Sequence, residues 1–317
     1  MTNEDSIDYL TLYFGDDYKI NDYIIIHHPT LQDIINMSER EYYGVVYTLC
    51  SIPSDMKSKL FDAGIDYEEI SDFELFIMLT RGMTVEQTRP LLGDLDLSTF
   101  DVERSTLNGR LKLSKMIEVP VEVQVETETE DETEEEIVLP QKNMFRKVLE
   151  FITKLFRRKK KGKEETEETD VIENETKCVT KTVYEKKEIV IDEFVYQKMI
   201  TYIRCMHNIK PKIEHAANKW TKKILIEDDR NRIAMNANKP YSSSLLPLIS
   251  AMVNSSGFKY KPTELREVPI YQFMDSVQRI QVIKAADALT KGAYGGMCDL
   301  SHVDKKQFNW MRDLTKN

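Results

Sequence analysis

Few side chains in this chain are spaced for acid–base or metal chemistry. His27 and His28 stand side by side before Pro29, at the end of a run in which Ile20, Ile24 and Ile26 read as strand. Neighbouring strand side chains point to opposite faces, so the pair is poorly placed to share one metal ion. His207 and His215 bracket Pro211, with no acidic residue at helical spacing to complete a ligand set. Glu227-Asp228-Asp229 runs into Arg230 and Arg232, which suits a solvated helix end better than a cation loop. Cys50, on an apolar helix face, reads as core, and Cys178, Cys205 and Cys298 form no CxxC pair, so reduced thiols in a cytosolic protein are expected. Gly292-Ala-Tyr-Gly-Gly296 follows a helical run and lacks the Lys-Ser/Thr of a phosphate loop. The expectation is a protein that is no enzyme, with no catalytic residue, no metal site and no cofactor.

Residues 144–161 carry a different chemistry. On a helix, Phe145, Val148, Leu149, Ile152, Leu155 and Phe156 gather on one side, and Arg146, Lys147, Lys154, Arg157 and Arg158 lie around the rest. A basic amphipathic helix over 143–158 can lie on an anionic membrane surface or dock into a hydrophobic groove. The alternative is a helix covering a neighbouring domain, its cationic tail balanced by flanking acidic blocks. The candidate membrane- or partner-binding residues are Phe145, Arg146, Lys147, Leu149, Ile152, Lys154, Phe156, Arg157 and Arg158.

The elements around these residues are legible from caps and periodicity. Thr30 can cap a helix through Met37. Ser38-Glu-Arg-Glu41 and Ser71-Asp-Phe-Glu74 fit capping boxes, each followed by an apolar helical face. Ser54 can start a helix that Gly64 stops, and Gly82 can stop the helix after Ser71. Strand signals follow at residues 110–113, and then in strict alternation at Val119, Val121, Val123 and Val125. From Asp192 on the pattern is helical. The stripes are Val195 to Met206, Ile213 to Ile224, Leu245 to Met252 behind Ser242-Ser-Ser244, Ile270 to Leu289 as a central helix, and Val303 to Leu314.

Between the two regions the charge is blocked. Residues 126–136 hold eight acidic and no basic residues, 142–163 ten basic residues against Glu150, and 164–175 seven acidic residues. Such blocks bury little, so disorder is expected over 126–178. Weak alternation returns at 179–184 and 189–191, which suggests an antiparallel ribbon carrying the insert as an enlarged loop. The expected fold is mostly α with small β elements (α+β). Its parts are an N-terminal α-rich α+β domain at 1–117, a β-ribbon with the insert at 118–191, and a C-terminal helical domain at 192–317. A length of 317 residues and 41% hydrophobic content suffice for such cores. A net charge of −10 argues against nucleic acid as a partner. The acidic start and the lack of any run of about 20 apolar residues suggest neither a secretory signal nor a membrane span.

The stretches at 28–35 and 65–76, with Phe273-Met-Asp-Ser-Val-Gln-Arg-Ile-Gln281 and Asn309-Trp-Met-Arg312, resemble proteins from the structural-gene region of tailed phages and prophages of Gram-positive bacteria. The resemblance covers both folded regions and skips the insert, which departs from the pattern. It implies a tail assembly chaperone or minor virion protein that contacts other phage structural or tail proteins, in host cytoplasm or in the virion. No catalytic residues come with it. The other reading is a membrane-surface or adaptor protein acting through 144–161.

Overall fold

The computed structural model describes residues 7–104, 110–126, 178–296 and 303–314. The amphipathic segment at 143–158, all nine of its candidate binding residues and the expected disorder over most of the insert lie outside the described residues.

The chain is mostly helical with small antiparallel sheets, an α+β fold. A short helix α1 (Tyr9–Phe14) precedes the two-residue strands β1 (Tyr18–Lys19) and β2 (Ile25–Ile26), which pair antiparallel. Helices α2 (Leu31–Met37) and α3 (Glu39–Cys50) follow, then α4 (Lys57–Asp62), α5 (Asp72–Thr80) and α6 (Val85–Leu92). Strand β3 (Asp101–Arg104) pairs antiparallel with β4 (Leu111–Glu126), which in turn neighbours β5 (Cys178–Ile191). The rest is helical: α7 (Glu193–Met206), α8 (Lys219–Ala237), α9 (Leu245–Val253) and the long α10 (Ile270–Tyr294), with short 3-10 turns at Glu264–Glu267 and Lys305–Phe308.

Local chemistry explains most of these boundaries. Thr30 and Asp33 form a complete capping box at α2, and Ser71 and Glu74 another at α5. At α3 only half of the expected box forms. Ser38 accepts from the Glu41 amide, but Ser38 also closes α2 with φ +84, and the Glu41 carboxylate makes no return bond. Ser54 lies inside a 3-10 turn (Pro53–Asp55) instead of starting the helix, and α4 begins at Lys57. Gly64 ends it with φ +74. The two expected strands at 110–113 and 119–125 are one strand, β4, which runs through Pro120.

The chain divides into two compact units: Met1–Ile117 with Glu188–Asn317, and Glu118–Lys187. The sequence places 1–117 and 192–317 in separate domains. In the structure they share one core, in which Leu12, Ile24, Ile26, Val46 and Phe76 from the front of the chain pack with Ile191, Ile203 and Phe273 from the back. Tyr196 of α7 packs its ring on Phe73 and Phe76 of α5. A smaller cluster joins Leu60, Tyr67 and Leu75 to Ile226 of α8. Backbone bonds tie the same halves: Ile270 N donates to Pro29 O at 2.9 Å, and Leu31 N to Val268 O at 3.1 Å. In the second unit, Lys186 and Glu118 stand 3.7 Å apart on exposed strand positions.

Two apolar stripes differ from expectation. Helix α8 begins at Lys219 because Asn218 caps it, accepting from the amides of Trp220 and Thr221. The face it buries carries Ile226 and Asp229, while Ile213, Trp220 and Ile224 are exposed, Trp220 by 73%. Helix α10 is buried mainly over its first half, at Ile270, Phe273 and Val277, and its last turns reach solvent.

Candidate functional site

A concavity of the first unit lies where α2 and α3 meet α6. One hollow of about 590 Å³ is lined by the β2–α2 segment (His27, His28), α2 and α3 (Asp33, Met37, Glu41) and α6 (Glu86, Gln87, Pro90). A second, of about 390 Å³, continues from Glu41 and Gln87 along Gly44, Val45, Thr48, Leu79, Gly82 and Met83. Glu41 and Gln87 line both, so the two form one open groove. Gly44 and Gly82 border open space, since a Cβ at either position would meet nothing within 4 Å.

Its walls are set by local geometry. His27 N donates to Leu91 O at 2.8 Å, which fastens the segment after β2 to α6. The His27 ring turns outward, with Nδ1 2.9 Å from Asp17 Oδ1. Gly93 closes α6 with φ +59, and a Cβ there would stand 2.7 Å from His27 Nε2. Only glycine meets both demands. The His28 ring pairs with Tyr202 of α7, Nε2 to Oη at 2.8 Å. Burial lowers the His28 pKa, against the pull of Asp17 and Asp16. Strand β2 ends at Ile26, so the two histidines lie beyond it. Both line the groove, yet each has its own partner. Among the described residues no three His, Cys, Asp or Glu side chains gather closely enough to hold a metal ion.

The other residues weighed for chemistry are engaged in structure. Asp229 accepts from Ser58 N at 3.0 Å and Ser58 Oγ at 2.6 Å, and it pairs with Arg232. It thus caps α4 from across the fold, and although burial opposes ionisation, these bonds hold its carboxyl below the usual range. Glu39 serves α9 in the same way. It accepts from Ser244 N at 2.8 Å and Leu245 N at 3.0 Å and also bonds the Ser243 and Ser244 hydroxyls. Burial pushes its pKa up, but these donors outweigh it and hold the group at about 2. Buried Lys57 reaches Glu214 at 2.6 Å and Ser54 O at 2.7 Å. Burial raises the Cys50 thiol to about 12, so it is an inert core residue.

His207, for which the sequence suggests no role, pairs with Tyr42 Oη at 2.7 Å through Nε2 and with Ile203 O at 2.8 Å through Nδ1. Ile203 O lies one helical turn back, but no signal in the sequence marks Tyr42, which is 165 residues away along the chain. By contrast, Ser242-Ser-Ser244 reads as a set of cap candidates, and there Ser243 Oγ accepts from Leu246 N and both Ser243 and Ser244 meet Glu39.

The groove therefore presents the carboxylates of Glu41 and Glu86, the Arg89 guanidinium, the Gln87 amide and the apolar Met37, Leu79, Met83 and Pro90. No helix among the described residues is long and apolar enough to cross a membrane. Residues 237–315, which include α9 and α10, match the protein family described as YomV second domain, YomV being a Bacillus phage-region protein. No curated protein and no solved structure matches the chain.

Proposed function

We propose that this protein is a non-enzymatic component of phage assembly or of the virion, acting in tail assembly through contacts with other phage structural proteins. The observation that carries this reading is the likeness of residues 237–315 to the YomV second domain. It is supported by the groove between α2–α3 and α6, where the exposed carboxylates of Glu41 and Glu86 stand beside half-buried Met37, a combination that suits protein recognition.

The test is to disrupt the gene in the phage or prophage that carries it, and to measure infectious titre and particle morphology. The expected result is a fall in titre with tailless or incomplete particles. Particles of normal number and form would overturn the proposal. Mass spectrometry of purified particles then separates a virion component, present at fixed stoichiometry, from an assembly factor left in the host cytoplasm.

A further inference from the structure

Helix α7 is fastened to the front of the chain by two tyrosine–histidine bonds. At its end His207 meets Tyr42 of α3, and within it Tyr202 meets His28 of the β2–α2 segment. Both tyrosines are 1% exposed. The Tyr202 ring is also stacked on Tyr18 at 4.2 Å, which holds the ring in place, and buried His28 Nδ1 has no hydrogen-bond partner among the described residues.

The proton count at His207 follows from its partners. Ile203 O can only accept, so Nδ1 carries the hydrogen, and Nε2 accepts from the Tyr42 hydroxyl. The neutral ring is fully satisfied. A second proton on Nε2 would point at Tyr42 Oη and force that hydroxyl to turn away. Among the described residues only the Ile203 O bond favours the new charge, and burial outweighs it. From α3 the neighbours are Tyr42 and Tyr43, both neutral, with Tyr43 at 6.5 Å between ring centres. Arg204 of α7 is itself cationic and donates to Cys50 O. Asp33 of α2 acts on Tyr42, and Asp72 of α5 on Tyr196, while the influences on His207 itself are burial, the Ile203 O bond and His28. His28 repels it. His28 does face the carboxylates of Asp16 and Asp17, but burial outweighs them, and His27 adds to the repulsion. Burial likewise takes His207 down from 6.5 to about 4.

We propose that the His207–Tyr42 and His28–Tyr202 pairs form a latch that acid releases, freeing α7 from α3 and from the β2–α2 segment. Both rings have lowered folded-state values, so the unfolded state binds the extra protons. The latch is therefore fully closed above about pH 6.5 and is lost as pH falls toward about 4.

The experiment is hydrogen–deuterium exchange with mass spectrometry on the full chain at pH 7.5 and pH 4, corrected for intrinsic exchange. Peptides from 193–206 should exchange at least tenfold faster at pH 4, while those from α5 change less. In the double variant His28→Gln/His207→Gln, which keeps the hydrogen-bonding groups but cannot titrate, the acid-induced increase should vanish. Unchanged protection of α7 at pH 4 overturns the proposal, and so does an equal increase in the double variant, which would assign the effect to carboxylates. If that variant does not fold, the wild-type protein decides alone through NMR titration of its histidine ring carbons. The midpoint for α7 opening must coincide with protonation of His207 or His28, and a separation of more than about one pH unit overturns the latch.

Discussion

The Tyr42 hydroxyl stands 2.7 Å from Nε2 of His207, although 165 residues separate them along the chain. The bond closes α3 onto the end of α7, and the tyrosine ring is part of the core. Tyr42→Phe keeps the ring and removes the hydroxyl, leaving Nε2 without its donor. A loss of about 1–3 kcal/mol at neutral pH is expected, read from the urea midpoint at unchanged slope.

Glu39 caps a helix that begins more than 200 residues later. Glu39→Ala removes the acceptor for the Ser244 and Leu245 amides, and should cost about 1 kcal/mol with a lower Tm. The pH dependence has a definite sign. A carboxyl held at about 2 against 4.5 in the unfolded chain contributes stability that is present above pH 4.5 and lost as pH falls toward 2. Wild type and Glu39→Ala should therefore draw together in stability below pH 4.5 and converge as pH reaches about 2, by acid titration of circular dichroism.

Asp229 is 3% exposed and satisfies the Ser58 amide and hydroxyl together. Asp229→Ala strands a buried amide at the start of α4. The expected cost is about 2–4 kcal/mol by thermal unfolding. Asp229→Asn keeps one acceptor and should fall between the two.

Gly93→Ala tests the wall of the groove. The residue must adopt φ +59 and share space with His27 Nε2. A loss of about 1–3 kcal/mol is expected, with displacement of the His27 ring visible in its NMR shifts.

The groove itself is tested by Glu41→Lys with Glu86→Lys. Neither carboxylate has an ion-pair partner among the described residues, so thermal stability should change by less than about 1 kcal/mol. Phage titre should nevertheless fall. An unchanged titre would remove the groove from the proposed function.

What was legible in the sequence was local. Thr30 as a cap, Ser71 with Glu74, and the stripe at Val195 to Met206 announce helices through contacts within one or two turns. Helix α6 was not expected, because Pro90 sits inside it, near its end, and hides the helical pattern. The apolar run Ile213, Trp220, Ile224 suggested a buried face, yet α8 is turned by Lys222 and Asp229, which answer Asp66, Glu68 and Ser58 on distant segments. Of the groove, Met37, Glu41 and Gly82 are legible only as helix ends and only His27 and His28 as chemistry, and nothing local marks Asp17 or Tyr202 as the partners of the two histidines. Asp229 looked like part of a solvated acidic end, since nothing near it in sequence reveals the amide it caps.

The backbone bridge between Thr30 and Pro269 sets an order of events during synthesis. A ribosome delivers residues 30–50 long before residues 268–273 leave its tunnel. Until then Leu31, Ile34 and Val46, all buried in the finished protein, lack their partners Val268 and Phe273. The nascent chain must carry this apolar surface uncovered while more than 200 residues are translated, at about 5–20 residues per second. Chaperone demand should thus peak late in translation and end abruptly once α10 emerges, so a chain truncated before Val268 is the form most prone to aggregate.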